Sequence, residues 1–282
     1  MKILRNVYLS EYTTFRMGGL VKFMYYPESI EDLKKLSDKE DFRYIIGGGS
    51  NLLVNDRKVF DAVTNLKYVN TKIQKIGSGE YDIGASVRLK ELIQIVNAEG
   101  FGGIEYLYSV PGLVGGAIYM NAGRGEKYRQ SISDYIISVD YYLNGEIITI
   151  GKDDCQFSYR HSIFHEMDNA IIIGGRFKFD KIDTEVARKK IQERIDLCKS
   201  VQDMTFPNFG TVFSKADKFV MGFIKIINMG YRNGVCFSKK KSNWMLKKKE
   251  GNFDQAINLI ERTIRIHKIF RKKCTVEVKI WK

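Results

Sequence analysis

Two glycine-rich segments carry the chemistry that this 282-residue chain displays most openly. Gly47-Gly48-Gly49-Ser50-Asn51 follows the apolar Tyr44-Ile45-Ile46. Consecutive glycines permit positive φ and bring backbone N–H groups close to a ligand, and Ser50 and Asn51 add side-chain donors. Such a loop can bind a pyrophosphate, and it can equally be a tight structural turn. It matches neither GxGxxG nor the GxxxxGK[ST] phosphate loop. Residues 109–123 read SVPGLVGGAIYMNAG. In that run Gly112, Gly115, Gly116, Ala117 and Gly123 leave no bulk in the way of a flat cofactor or its phosphates. Pro111 fixes the entry to the segment, and Asn121 belongs to the same candidate cradle. The competing reading of so many small residues is a close helix–helix contact.

These loops need elements to hold them. A strand is predicted at 22–26, a helix from Glu28 to Lys39 and a short buried strand at Tyr44–Ile46. Residues 60–85 alternate apolar and polar residues as β structure does. Leu89–Ala98 places Leu89, Leu92, Ile93 and Val96 on one helical stripe, with Gly100 as its stop. Asn144-Gly145 joins Ile136–Leu143 to Glu146–Ile150 as a hairpin. Ala170–Phe179 reads as a strand, Thr184–Lys199 as a helix. Further on come helical Phe219–Ile227, strands near Val235–Ser238 and Trp244–Leu246, a helix from Asp254 to Lys272 opened by Asn252 and Gln255, and a final strand Thr275–Trp281. The fold class is α+β.

Composition narrows the function. The chain has 44% hydrophobic residues, enough for a real core, which excludes wholesale disorder. No stretch reaches the roughly 18 apolar residues that cross a bilayer, and the N-terminus lacks a signal-peptide core. Cys155, Cys198, Cys236 and Cys274 are too dispersed for a zinc site or a disulfide framework, so free thiols in a reducing cytoplasm are expected. No metal site is expected, and His161, His165 and His267 are read as non-catalytic. Charge is uneven: residues 1–200 hold 28 basic and 27 acidic residues, whereas 201–282 hold 18 and 6. The basic last third calls for an anionic partner, either a nucleic acid or a phosphorylated small molecule.

GGGSNLL, PGLVGGAIYMNAG and FSYRHSIF at 157–164, together with Thr13-Thr14-Phe15-Arg16-Met17-Gly18-Gly19, resemble the UDP-N-acetylenolpyruvoylglucosamine reductases of peptidoglycan synthesis, of the shorter type. The resemblance implies a two-part FAD-binding domain of the vanillyl-alcohol-oxidase-like (PCMH-type) fold over residues 1–200. Its subdomains would span about 1–66 and 67–182, followed by a connecting helix. A smaller α+β substrate domain would cover 201–282, with the strand at about 274–282 packing back on the first domain. It implies FAD held by the two glycine motifs, NADPH as hydride donor, a UDP-sugar substrate, and no nucleic-acid or obligate protein partner. By the same resemblance Arg160 steadies the enolic intermediate, Thr211 is the proton donor and Glu277 the C-terminal acid, while Tyr159, Lys215 and Lys241 touch substrate. Where read from the residues alone, Glu277 equally fits an outward-facing acid on a strand.

Several positions depart from the family pattern. Thr211 stands where serine is usual, which keeps the hydroxyl but adds a methyl and restricts χ1. Ser214-Lys215-Ala216 replaces Lys-Asn-Pro, Lys241 stands at a histidine position, and Lys247 stands where asparagine often sits. Two further readings therefore accompany the reductase: an FAD-binding paralogue with another anionic substrate or reduced activity, and a basic nucleic-acid-binding protein.

Overall fold

Asn144 and Gly145, both at positive φ (49° and 91°), close the hairpin between strands Ile136–Leu143 and Glu146–Gly151. That backbone twist matches the twist of the paired strands, which is why Asn-Gly announces such turns. The hairpin forms one side of a five-stranded antiparallel sheet that continues through Ile171–Lys178, Glu80–Gly84 and Ile73–Gly77. The computed structural model describes residues 1–37, 44–125 and 128–282 of this α+β chain.

By compactness the chain divides into two units. The first comprises Met1–Leu4, Phe23–Gly48 and Ala62–Cys198; the second comprises Arg5–Lys22, Gly49–Asp61 and Lys199–Lys282. The last junction falls near the linear boundary at residue 200. Two early segments nevertheless belong with the C-terminal part, so the chain leaves and re-enters each unit. The first unit then holds 22 basic and 24 acidic residues and the second 24 and 9.

In the first unit the predicted helix Leu89–Ala98 buries Leu89, Leu92, Ile93 and Val96. Gly100, at φ +78°, ends it by donating its N–H to Asn97 O at 3.1 Å. That stripe packs into a core with Tyr81 and Phe177 from the sheet and Phe179 just beyond it. The predicted helix 28–39 is found as Ile30–Ser37, and Lys39 lies outside the described residues. A strand at Lys2–Tyr8 and a helix at Val114–Tyr119 carry too little periodicity to be read in advance.

The second unit holds a three-stranded sheet in the order Asn208–Thr211, Trp244–Lys247, Val235–Phe237. Helix Lys218–Ile226 is capped by Asp217, which accepts from the N–H groups of Phe219 and Val220. Helix Phe253–Ile269 is capped by Asn252, while the Gln255 amide oxygen accepts from Val235 N–H at 3.0 Å instead of closing a capping box. This helix stops short of Lys272. Arg271 turns to φ +54° and Lys272 N–H returns to His267 O at 2.8 Å. The continuous final strand is also corrected. Thr275–Val276 pairs antiparallel with Phe213–Lys215, and Lys279–Trp281 pairs parallel with Leu52–Val54, so the two halves serve different partners.

His267 is fully buried in this unit. Its Nε2 accepts from Asp217 N–H at 3.1 Å and its Nδ1 donates to Thr263 O at 2.9 Å, which ties the two long helices of the unit together. His267→Ala is expected to lower the unfolding free energy by about 2–4 kcal/mol, through a cavity and a buried N–H left unpaired. Denaturant titration checks this, and a loss below about 0.5 kcal/mol would remove the helix-joining role.

Candidate active site

In the first unit the two glycine motifs meet. Strand Ile45–Ile46, parallel to Thr64–Asn65, runs directly into Gly47 and Gly48. A Cβ on Gly48 would lie 3.2 Å from Gly112 Cα and 3.5 Å from Pro111 O, so the two loops touch backbone to backbone. Gly115 is small for packing, since a Cβ there would come within 2.9 Å of Ala85 Cβ. Gly116 is small without a packing reason: a Cβ on it would meet nothing within 4 Å. Gly47 is nearly as open, with only Leu113 Cδ1 at 3.7 Å. Ala117 is buried in the helix that carries these glycines.

The far end of that helix positions Arg160. Asn121, buried and at φ +40°, donates from Nδ2 to Ser158 O at 2.9 Å and accepts from Ser133 N–H at 3.3 Å. Its amide therefore braces the loop carrying Tyr159 and Arg160. Ser158 and His161 exchange backbone hydrogen bonds of 3.1 and 3.2 Å, which leaves Tyr159 and Arg160 at the tip of a two-residue turn. Arg160 takes φ +59°, a conformation costing a non-glycine residue of order 1 kcal/mol. Its Nη2 donates to Gly123 O at 2.8 Å, and its guanidinium lies 5.7 Å from the Tyr159 ring centre. Gly123 can be nothing larger, because a Cβ there would fall 2.2 Å from Gln130 O.

Beside this loop lies Tyr106. Its hydroxyl is buried without a hydrogen-bond partner among the described residues, and burial holds the phenol well above its ordinary pKa. No motif marks a single tyrosine among sixteen, so only its orphaned oxygen identifies it.

The second unit gathers a different set. Gly49, at φ +63°, would put a Cβ 2.0 Å from Tyr12 O, and its carbonyl accepts from Thr14 N–H at 3.0 Å. The Thr14 hydroxyl beside it is buried with no hydrogen-bond partner among the described residues. Half-buried Ser50 follows, and then Asn51, whose Nδ2 donates to Glu277 O at 3.3 Å. Glu277 N–H donates in turn to Val212 O at 2.8 Å, the residue after Thr211. Thr211, half-buried, pairs with Trp244, and the Lys241 ammonium sits 4.6 Å from a Trp244 ring. Asn51, Thr211, Glu277 and Lys241 are thus linked through short contacts within one unit. Glu277 is half-buried at the break between the two short strands, which is not an outward position on a regular ladder. Lys215 is exposed on the strand that pairs with Thr275.

In the first unit Gly47 and Gly116 have room that packing leaves unused, and the buried Tyr106 hydroxyl is without a hydrogen-bond partner among the described residues, so this unit has space and a polar group for a ligand. Among the described residues there is no group of three or more His, Cys, Asp or Glu side chains that could hold a metal, and all four cysteines are free thiols. No helix among them is long and apolar enough to cross a membrane.

Comparison with known proteins gives a consistent set. Residues 21–151 match the FAD binding domain family model. The chain is 31% identical to the UDP-N-acetylenolpyruvoylglucosamine reductase of Carboxydothermus hydrogenoformans, covering 89% of this chain and 81% of that protein. It is 29% identical to the enzyme of that name from Petrotoga mobilis, over 99% of this chain and 95% of the relative. Among solved structures, the UDP-N-acetylenolpyruvylglucosamine reductase of Thermus caldophilus superposes over 100% of both chains with a TM-score of 0.82 at 22% identity.

The two kinds of glycine separate experimentally. Gly49→Ala is expected to cost at least about 1–2 kcal/mol, because both its φ and its backbone neighbour exclude a methyl. Gly116→Ala is expected to be neutral or stabilising by up to about 1 kcal/mol, since it gains helix propensity and meets nothing. Unfolding curves of the two variants check the contrast, and equal losses would contradict it.

Proposed function

As this chain belongs to the UDP-N-acetylenolpyruvoylglucosamine reductase family, we propose that it reduces UDP-N-acetylenolpyruvoylglucosamine to UDP-N-acetylmuramate, using FAD and NADPH, in the cytoplasm. The fold is the family's, with an FAD-binding part and a C-terminal α+β part. When bound, FAD supplies the hydride that NADPH provides.

The chain's own residues supply the rest. The glycine backbones of 47–49 and 112–116 admit the cofactor's phosphates closely, and Ser50 adds a hydroxyl donor. The Tyr106 hydroxyl is suited to hydrogen-bond it, since no described residue offers that oxygen a partner. Asn51 and Asn121, assigned to the cofactor, also brace Glu277 and the Arg160 turn.

The enolpyruvyl group carries a carboxylate, and adding hydride to its vinyl carbon leaves negative charge shared with that carboxylate. Arg160 is suited to hold it, because a planar guanidinium offers paired donors in a fixed fork where lysine has a point charge. Its anchor to Gly123 O and its constrained backbone keep the fork aimed. Protonation of the neighbouring carbon completes the lactyl ether, and Thr211 has the hydroxyl for that step. Glu277, whose N–H bonds the Val212 carbonyl, is assigned as a second proton-handling group. Tyr159, Lys215 and Lys241 are assigned to the substrate, Lys241 by its charge next to the Thr211 pairing partner. The observation that carries this reading is the 2.8 Å hydrogen bond from Glu277 N–H to Val212 O, which holds the Glu277 backbone beside the residue that follows Thr211.

The purified protein is expected to be yellow and to oxidise NADPH only when the enolpyruvyl sugar is added. Thr211→Ala should lower the rate of sugar reduction by about 10²–10⁴-fold while NADPH still reduces the bound flavin anaerobically, and Thr211→Ser should keep turnover. A colourless protein without affinity for FAD would overturn the reading. Turnover unaffected by Thr211→Ala would remove Thr211 from the proton step.

A further inference from the structure

Helix Lys218–Ile226 is apolar on both faces. Val220, Met221 and Ile224 pack into the core of the second unit, yet Phe219 is 88% exposed and Ile226 83% exposed on the other side. At the end of helix Phe253–Ile269, Ile269 is 77% exposed. The next residue, Phe270, places its ring 6.2 Å from that of Phe223, itself an exposed side chain on the first helix. Elements far apart in sequence therefore merge their outward apolar side chains into one patch. Isolated exposed apolar residues are ordinary, whereas a joined group with Phe and Ile this far into solvent marks a contact surface.

Basic residues flank the exposed apolar side chains in sequence. Lys218 precedes Phe219, Lys225 precedes Ile226, Lys268 precedes Ile269, and Arg271, Lys272 and Lys273 follow Phe270. Of these six, only Lys272 is in an ion pair among the described residues, with Asp217 at 3.5 Å. Asp217 also caps its helix, and the other nearby acid, Glu261, lies 3.7 Å from Arg265, so the local negative charge is already engaged.

We propose that this patch docks the protein on an anionic lipid bilayer, the phenylalanine and isoleucine side chains entering the headgroup boundary and the lysines and arginine contacting lipid phosphates. The residue types decide between occupants. Lysine is depleted at protein–protein interfaces, whereas lysine and arginine flanking Phe and Ile on a helix suit a membrane surface. Lysine and arginine combine an apolar stem with a charged head, which suits them to the boundary between an apolar patch and lipid phosphates. A second copy of this chain would set two basic rims against each other, which opposes self-association. Neither signal suffices alone, and here both are present on one surface. This inference is independent of the redox reading, since none of these residues belongs to the candidate active site.

The test is vesicle flotation of the full-length protein at low salt. Binding is expected to vesicles of roughly 3:1 phosphatidylcholine to phosphatidylglycerol, weaker by about tenfold or more on pure phosphatidylcholine and reduced by added salt. Phe219→Ser/Ile226→Ser keeps every charge and touches no buried side chain. It should weaken binding about tenfold with an unchanged unfolding midpoint and unchanged flavin content. If that pair lowers the midpoint, Ile269→Ser replaces it, with a loss of binding still expected. Lys225→Glu/Lys268→Glu should weaken binding similarly. Failure of the wild-type protein to prefer anionic vesicles would overturn the proposal. So would full binding by the serine variants, which would reduce the effect to general basicity. A wild-type dimer that the serine pair dissolves, without vesicle binding, would assign the patch to self-association instead.

Discussion

Backbone running against backbone is the constraint on which both units depend. At Gly49 and Gly123 an added Cβ would fall 2.0 and 2.2 Å from a neighbouring carbonyl oxygen, Tyr12 O and Gln130 O respectively. Neither contact survives any side chain, and each fixes a functional loop. Gly49 seats the Thr13–Met17 turn, which a hydrogen bond from Thr13 Oγ1 to Met17 O then closes at 3.0 Å. Gly123 brings its own carbonyl to Arg160. A strained arginine is tolerated at the tip of its turn because Asn121 from one side and Gly123 from the other over-determine its place.

In the second unit the same economy of backbone runs through Val212. Its carbonyl accepts from Glu277 N–H, and the adjoining residues pair with two different strands: Thr211 with Trp244, and Phe213 with Val276. The Asn243 side chain holds this crossover by exchanging hydrogen bonds with Phe213 N–H and O at 3.0 and 2.8 Å. Because the chain changes partner at 211–213, the C-terminal segment must change partner as well. It leaves Phe213–Lys215 after Val276 and joins Leu52–Val54 from Lys279. Glu277 sits in that gap, where no ladder dictates its direction.

Long amphipathic elements were legible in the sequence for physical reasons. Leu89–Ala98 declares itself by its stripe and by Gly100, and the Asn144-Gly145 hairpin by the positive φ both residues adopt. The failures are as specific. The final strand reads as continuous because Thr275–Trp281 has uniform β character, and periodicity carries no information about which neighbour a residue pairs with. The helix ending at Ile269 reads from the sequence as reaching Lys272, because Arg271 in the left-handed region has no sequence mark comparable to glycine. The glycine motifs were legible as a pair, whereas their division into packing glycines (Gly115, Gly123) and open ones (Gly47, Gly116) needs the coordinates of their neighbours. Tyr106 and Thr14 illustrate the remaining gap: an orphaned hydroxyl is a property of surroundings, not of residue type.

The charge asymmetry becomes sharper once the units are drawn in space. With its two early segments included, the second unit carries 24 basic and 9 acidic residues, while the first is slightly acidic. A nucleotide diphosphate with one carboxylate requires only a few cations, so a single ligand leaves most of that excess unexplained. The positions of the lysines resolve it. Lys241 lies by Trp244, the partner of Thr211, and belongs with the candidate site. Lys218, Lys225, Lys268 and the 271–273 cluster sit instead around Phe219, Ile226, Ile269 and Phe270. The basic charge is therefore divided between two surfaces of one unit. The first is the surface proposed for the substrate, while the second is placed around exposed apolar side chains that substrate binding does not require.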